Sequence, residues 1–243
     1  MKNLKFLLVV AFAFFSLQTQ AQVKFGVKAG LNMNNIAQSF KESSWESAAK
    51  MNLGFNFGLT ADYELSEAMS IQTGLVYTSK GFKYDLEEEY DIQAGESIDG
   101  YDKVSFNYLE IPIHFAYKMD AFQIYAGPYV AFGIGGKNKW DFTYSDGTGE
   151  YKDADEFLFK PAFGDLSQED IDSDDDFYSA LDYGLNFGVG YTVGPILINA
   201  GYSLGLGNLT PGISADGYGD YDPKDFKLSN RVISVSVSYF FGE

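Results

Sequence analysis

Few residues in this chain are suited to chemistry. His114 is the single histidine, and Glu110 lies four residues before it. Extended backbone sends alternate side chains to opposite faces, so Glu110, Pro112 and His114 share one face of a strand. A charge buried on that face needs a partner or water. Lys24 and Lys28 near the start of the chain and Arg231 near its end are placed to supply partners, because first and last strands become neighbours when a sheet closes on itself. Lys24, Lys28, Glu110, His114 and Arg231 are therefore expected to form a polar network that fills an interior. A hydrolase using His114 as base would need a Ser within hydrogen-bond reach. The same-face neighbours of His114 are Pro112 and Ala116, so a nucleophile would have to come from an adjacent strand. The expectation is a non-enzymatic protein with no catalytic residue.

Metal and cofactor chemistry is equally sparse. The chain has no Cys, which excludes disulfides, thiolate zinc sites and a Cys nucleophile. The acidic run 170–176 resembles half of a calcium loop. The Gly of the sharp turn and the closing Glu are missing at the required spacing. It reads as a solvated acidic loop, and no metal ligand or cofactor is expected. A net charge of −17 excludes nucleic acid as a partner, since a phosphate-binding face needs clustered Lys and Arg.

The elements that must hold these residues are strands. Val23, Phe25, Val27, Ala29 and Leu31 alternate with Lys24, Gly26, Lys28 and Gly30. The same period of two runs through 52–63, 109–118, 182–193, 196–206 and 233–241, and less cleanly through 69–83 and 122–136. That makes eight strands, longer than the five or six residues usual in soluble sheets. Pro112 removes a ladder donor, and the apolar phase shifts between Phe106 and Leu109, so a bulge is expected near Pro112. Ahead of the strands, Lys2 and Lys5 precede an apolar run over 7–17, and Thr19 and Ala21 put small residues before Gln22. The run is too short to span a bilayer. Residues 1–21 read as a cleaved signal peptide and 22–243 as one domain.

Alternation alone does not say which face is inside. A secreted soluble barrel or sandwich turns its apolar side inward; a membrane barrel turns it to lipid. Two features favour the membrane. The polar faces are built from Gly, Asn, Ser and Thr, which suit a narrow lumen better than a wet surface. Connections also alternate in length: tight near 65–68, 118–121 and 194–195, long near 32–50, 85–103, 138–181 and 208–228. By count, 27 of the 34 Asp and Glu fall in those four long loops. Tyr63, Tyr77, Tyr117, Tyr191 and Tyr239 are expected to form an interfacial aromatic girdle. The expected fold is all-β: an eight-stranded antiparallel up-and-down transmembrane β-barrel with long outer loops, in a bacterial outer membrane.

Several segments resemble the porin-family outer-membrane β-barrel domain (PorT-like) of Bacteroidota. They are Val23-Lys24-Phe25-Gly26-Val27-Lys28-Ala29-Gly30-Leu31-Asn32, Tyr108-Leu109-Glu110-Ile111-Pro112-Ile113, Ala126-Gly127-Pro128-Tyr129 and Asp182-Tyr183-Gly184-Leu185-Asn186-Phe187-Gly188. The Leu-Glu-Ile-Pro element is the most specific, and the likeness spans the mature chain. It implies outer-membrane lipid and lipopolysaccharide as surroundings. It also implies insertion by the barrel assembly machinery, for which Val237, Tyr239 and Phe241 match the terminal strand but Gly242-Glu243 depart from it. Three roles follow as expectations: a structural or surface-interaction barrel, an accessory of protein export, or a small-solute porin. The aromatic and acidic loop 138–181 is the expected contact for an envelope or secreted protein partner, since loops of that length carry function or stay disordered.

Overall fold

The computed structural model describes residues 23–40 (without the Phe40 side chain), 49–86, 96–214 and 222–242. The signal-peptide reading of residues 1–21 lies outside them. The described chain is almost all strand: β1 Val23–Phe40, β2 Asn52–Ser66, β3 Met69–Asp85, β4 Ser97–Met119, β5 Phe122–Ser145, β6 Glu150–Ala162, β7 Asp176–Ser179, β8 Leu181–Val193, β9 Ile196–Gly205 and β10 Phe226–Phe240. One short helix, α1 Gln168–Ile171, and one 3-10 turn, Pro223–Asp225, complete it.

Eight of these strands close a ring in the order β1–β2–β3–β4–β5–β8–β9–β10, with β10 returning antiparallel to β1 from Gly26↔Phe240 to Phe40↔Phe226. Closure satisfies every edge of the ring. The expected eight-stranded barrel is the architecture found. β6 and β7 lie outside the ring, in the segment read from sequence as the loop 138–181.

The long connections are shorter than the sequence suggested, because strands grow into them. β4 has 23 residues and β5 has 24, against roughly 9–11 needed to cross a bilayer. Their surplus forms a ribbon beyond the ring, with β4 pairing β5 out to Ser97↔Ser145 and β6 folding back on β5 from Ser145↔Glu150 to Gly136↔Phe159. Period-two patterning fades there because both faces meet water, so the sequence reads as loop while the backbone still pairs.

At the opposite end the turns are tight. Residues 67–68, 120–121 and 194–195 each join neighbouring strands. Asp120 and Gly194 take positive φ of 54° and 55°, the left-handed geometry a two-residue hairpin requires.

The apolar side faces out. Leu31 is 67% exposed, Leu53 73% and Phe115 60%, whereas Asn32, Asn34 and Asp182 on the opposite phase are buried. A water-soluble sandwich or barrel would invert this. Tyr63, Tyr117, Tyr191 and Tyr239 lie exposed near the tight turns, as a girdle requires. Tyr77 departs from that expectation. It sits at mid-height against Phe57 and Leu109 and stacks on Phe55 and Phe57 with centroids 5.6 and 5.0 Å away.

Candidate functional site

The interior is built around Lys80. Its Nζ lies 2.8 Å from Glu110 Oε2 and 3.0 Å from Asp182 Oδ2, and its side chain is 1% exposed. Register explains how one lysine reaches two strands' carboxylates. Ala131 of β5 pairs with Glu110 of β4 on one side and Asp182 of β8 on the other, so both acids stand at one height beside a methyl group. The ammonium also sits 4.2 Å from the Tyr129 ring centroid and 5.4 Å from that of Tyr108, a cation–π arrangement.

Neutral groups complete the carboxylates' shells. Asn230 Nδ2 donates to Asp182 Oδ2 at 2.9 Å, and the Tyr129 hydroxyl lies 3.3 Å from both Asp182 oxygens. Asn186 Nδ2 donates to Glu110 Oε1 at 3.3 Å and lies 3.1 Å from His114 Nε2. His114 stacks on Tyr125, centroids 4.8 Å apart. Gly188 and Gly201 make room for that arrangement, since a Cβ at either would collide with the Tyr125 hydroxyl. One cation facing two buried carboxylates is stable only with such satisfaction, because desolvation otherwise exceeds the Coulombic gain.

Above this cluster, toward the long loops, the interior turns apolar. Ile36, Phe82, Val104, Phe106, Tyr108 and Tyr129 pack with Tyr178 of β7 and Leu209. Tyr178 is a latch. Its ring lies 4.6 Å from Phe106, and its hydroxyl accepts from Gly135 N at 3.2 Å and donates to Gly135 O at 3.0 Å. It hooks onto a bulge where Tyr108 pairs Gly133 while Asn107 pairs Gly135, leaving Ile134 extra. This is the bulge expected at Pro112. It lies instead in β5, and Pro112 pairs in register with Tyr129. The phase in β4 is unbroken, because Phe106 and Tyr108 point inward with Glu110; their apolar character had disguised it.

Below the cluster, toward the tight turns, the interior is an amide column. Gln72 bonds Asp62 at 3.0 Å and Gln123 at 3.1 Å, and Gln123 bonds Asn199 at 3.3 Å. Lys118 pairs Asp62 at 3.1 Å and Glu64 at 3.3 Å. Two cavities of about 40 and 30 Å³ flank His114, each large enough to hold water.

Of the five residues singled out from sequence, Lys28, Glu110 and His114 line one cavity, and Lys24 and Arg231 stand apart. Glu110 and His114 meet through Asn186. Lys28 lines both small cavities beside His114. Lys24 lies at the tight-turn end and pairs Glu64 at 3.3 Å. Arg231 sends Nη1 to the carbonyls of Gly205 and Asn230, at 2.7 and 2.8 Å. The dominant ions, Lys80 and Asp182, were not among the five. Their signal was present: Asp182 shares its phase with Gly184 and Asn186, and Lys80 shares that of Gln72 and Thr78 on a strand whose pattern Val76 and Phe82 blur.

The acidic run 170–176 is dispersed. Asp170 caps α1 through Ser167, Asp172 accepts from Gln168 at 2.8 Å, and Asp175 pairs Lys160 at 2.6 Å. The Ser167 hydroxyl and backbone hold the Asp170 carboxyl below its usual value. Among the described residues no three His, Asp or Glu gather in metal-binding geometry.

Residues 18–210 match the outer membrane protein β-barrel domain family. The chain belongs to that family. It is an outer-membrane β-barrel; the tight turns face the periplasm and the ribbon faces outward, by the rule such barrels follow. Among solved structures it is similar to the attachment invasion locus protein Ail of Yersinia pestis (10% identity, 90% of this chain and 99% of that one, TM-score 0.38). It is also similar to Neisserial surface protein A (13%, 89% and 97%, 0.34) and the outer membrane protease OmpT of Escherichia coli (10%, 92% and 98%, 0.36). No curated protein matches the sequence.

Proposed function

We propose that this protein is a closed, non-catalytic barrel whose working surface is the outward ribbon of β4, β5 and β6, engaging an envelope or secreted protein. The carrying observation is the Lys80–Glu110–Asp182 cluster beneath an aromatic plug. Charge and apolar bulk together occupy the section through which a solute would pass. An eight-stranded ring is already only wide enough for its own side chains. His114 serves in the same wall: its Nε2 lies against Asn186 and its ring stacks on Tyr125.

Purified wild-type protein in planar bilayers is expected to give no stepwise conductance. Regular openings would overturn the sealed reading in favour of a small-solute porin. Protease applied to intact cells is expected to cut within 138–181, and full protection would overturn the surface role. Phospholipid and lipopolysaccharide surround the wall, and the terminal strand with Val237, Tyr239 and Phe241 serves recognition by the barrel assembly machinery. A second reading rests on the PorT-like Leu109-Glu110-Ile111-Pro112 element: an accessory of protein export. Crosslinked pull-down from native membranes separates the two, since an export accessory brings down other envelope subunits.

A further inference from the structure

The ribbon ends in a strand with one open edge. β6 pairs β5 along one side, from Glu150 to Phe159. On its other side β7 lies parallel to Phe159–Ala162 and covers nothing earlier. Among the described residues, 150–158 therefore present a row of unpaired edge groups. Open edges are usually blunted by Pro, a bulge, charged side chains or a covering element, and of these 150–158 carry only charge. Here the only proline of β6, Pro161, falls in the part β7 already covers, and the β5–β6 register runs without a shift from one end to the other. β7 itself shows that this edge accepts a strand.

Charge decides what kind of strand. Residues 150–158 hold four acids and one lysine. Glu156 is paired with Lys137 at 2.9 Å, and Glu150 lies 3.9 Å from Lys152. Asp153 accepts from the Trp140 indole at 3.3 Å, and Asp155 from the Glu156 backbone at 2.7 Å. Neither has a basic group within 4.0 Å among the described residues. Asp153 and Asp155 share one face with Tyr151 and Phe157, and the other face carries Glu150, Lys152, Ala154, Glu156 and Leu158, which is 69% exposed. Like charges directly opposite destabilise a strand pair and opposite charges support it. A second copy of this strand would be repelled. A strand carrying basic side chains would not.

We propose that residues 150–158 are a strand-addition site for an extended basic segment of another polypeptide, which continues the row that β7 begins. The proposal rests on the ribbon being the working surface and names the chemistry of its partner. Main-chain hydrogen bonds would give affinity, and the Asp153–Asp155 face would favour basic side chains beside it.

The test uses the full chain in detergent and a fluorescent octapeptide of repeating Val-Lys pairs, read by anisotropy. Saturable binding is expected, with the Val-Glu counterpart weaker by about tenfold or more. N-methylating every second amide of the Val-Lys peptide is expected to abolish binding, because it removes the donors that a ladder needs. Asp153→Asn with Asp155→Asn is expected to weaken binding several-fold without moving the unfolding midpoint. Equal binding of the N-methylated peptide would reduce the effect to charge attraction and overturn strand addition. Indifference to the two substitutions, or equal binding of the Val-Glu peptide, would overturn the choice of partner. This experiment is independent of cell topology, so its failure is distinct from the protection of the ribbon on intact cells.

Discussion

The two halves of β5 follow opposite rules. From Phe122 to Phe132 the strand is part of the ring: Ile124 and Phe132 face out into lipid, while Tyr125, Tyr129 and Ala131 are buried inside. From Lys137 to Ser145 the same strand is part of the ribbon, where Lys137 pairs Glu156 in water and Trp140 leans on Phe157. The bulge at Ile134 divides them. Exposure has a different meaning on each side of it: an exposed Leu on the ring is solvated by acyl chains, and an exposed Leu on the ribbon by water. Charge differs likewise: inside the ring it is costly and held by paired partners, as Lys80 is by Glu110 and Asp182, and on the ribbon it is cheap.

The largest effect that would break this comparison concerns the two lysines. Lys80→Ala strands two carboxylates inside the barrel and is expected to destabilise by about 3–5 kcal/mol. Lys137→Ala removes an exposed pair and is expected to cost no more than about 0.5–1 kcal/mol. Urea titration in detergent, read by the heat-modifiable gel shift, compares them; equal losses would mean the inner cluster is solvated. Next come two leucines of similar exposure. Leu31→Arg places a guanidinium in the hydrocarbon layer, at a cost of about 2–4 kcal/mol. Leu158→Arg on the ribbon is expected to be nearly neutral in the same titration. A reversed order would place the membrane elsewhere on the molecule.

A smaller effect sharpens the boundary itself. Tyr178→Phe removes the hydroxyl that bridges Gly135, with an expected loss of about 1 kcal/mol. Trypsin cleavage between 138 and 175 should quicken while the ring midpoint barely moves. The smallest is electrostatic. Ser167 bonds hold Asp170 below its usual value, and Thr148 bonds do the same for Asp146. A carboxyl with a depressed folded value contributes its order above the ordinary carboxylate range and loses it as pH falls through the folded value. Protection of the Thr148, Gly149 and Ser167 amides, taken as exchange relative to the intrinsic rate at the same pH, should therefore be highest near neutrality and fall on acidification, with the lower half of β5 unchanged.

The ring was legible in the chain because the constraint behind it is local. Lipid on one side and a narrow lumen on the other force apolar and small polar residues to alternate, as in 182–193, and the pattern survives without knowledge of neighbours. The tight turns were equally plain at Asp120-Ala121 and Gly194-Pro195. Glu110 and His114 could be placed inside by the same phase. What the pattern concealed were inward residues that happen to be apolar: Val76, Phe82, Phe106 and Tyr108 read as outward or irregular, and Lys80 was lost among them.

Sequence by itself therefore determined the strand period, the direction of the apolar face and the end at which the chain turns tightly, since each depends on neighbours two residues apart. Only the closed sheet decided which charges meet. Lys80 and Asp182 lie 102 positions apart and pair because Ala131 sets the heights of Glu110 and Asp182. The same is true of β6: its open side exists because β5 and β7 leave it uncovered, and that is a property of pairing, not of composition.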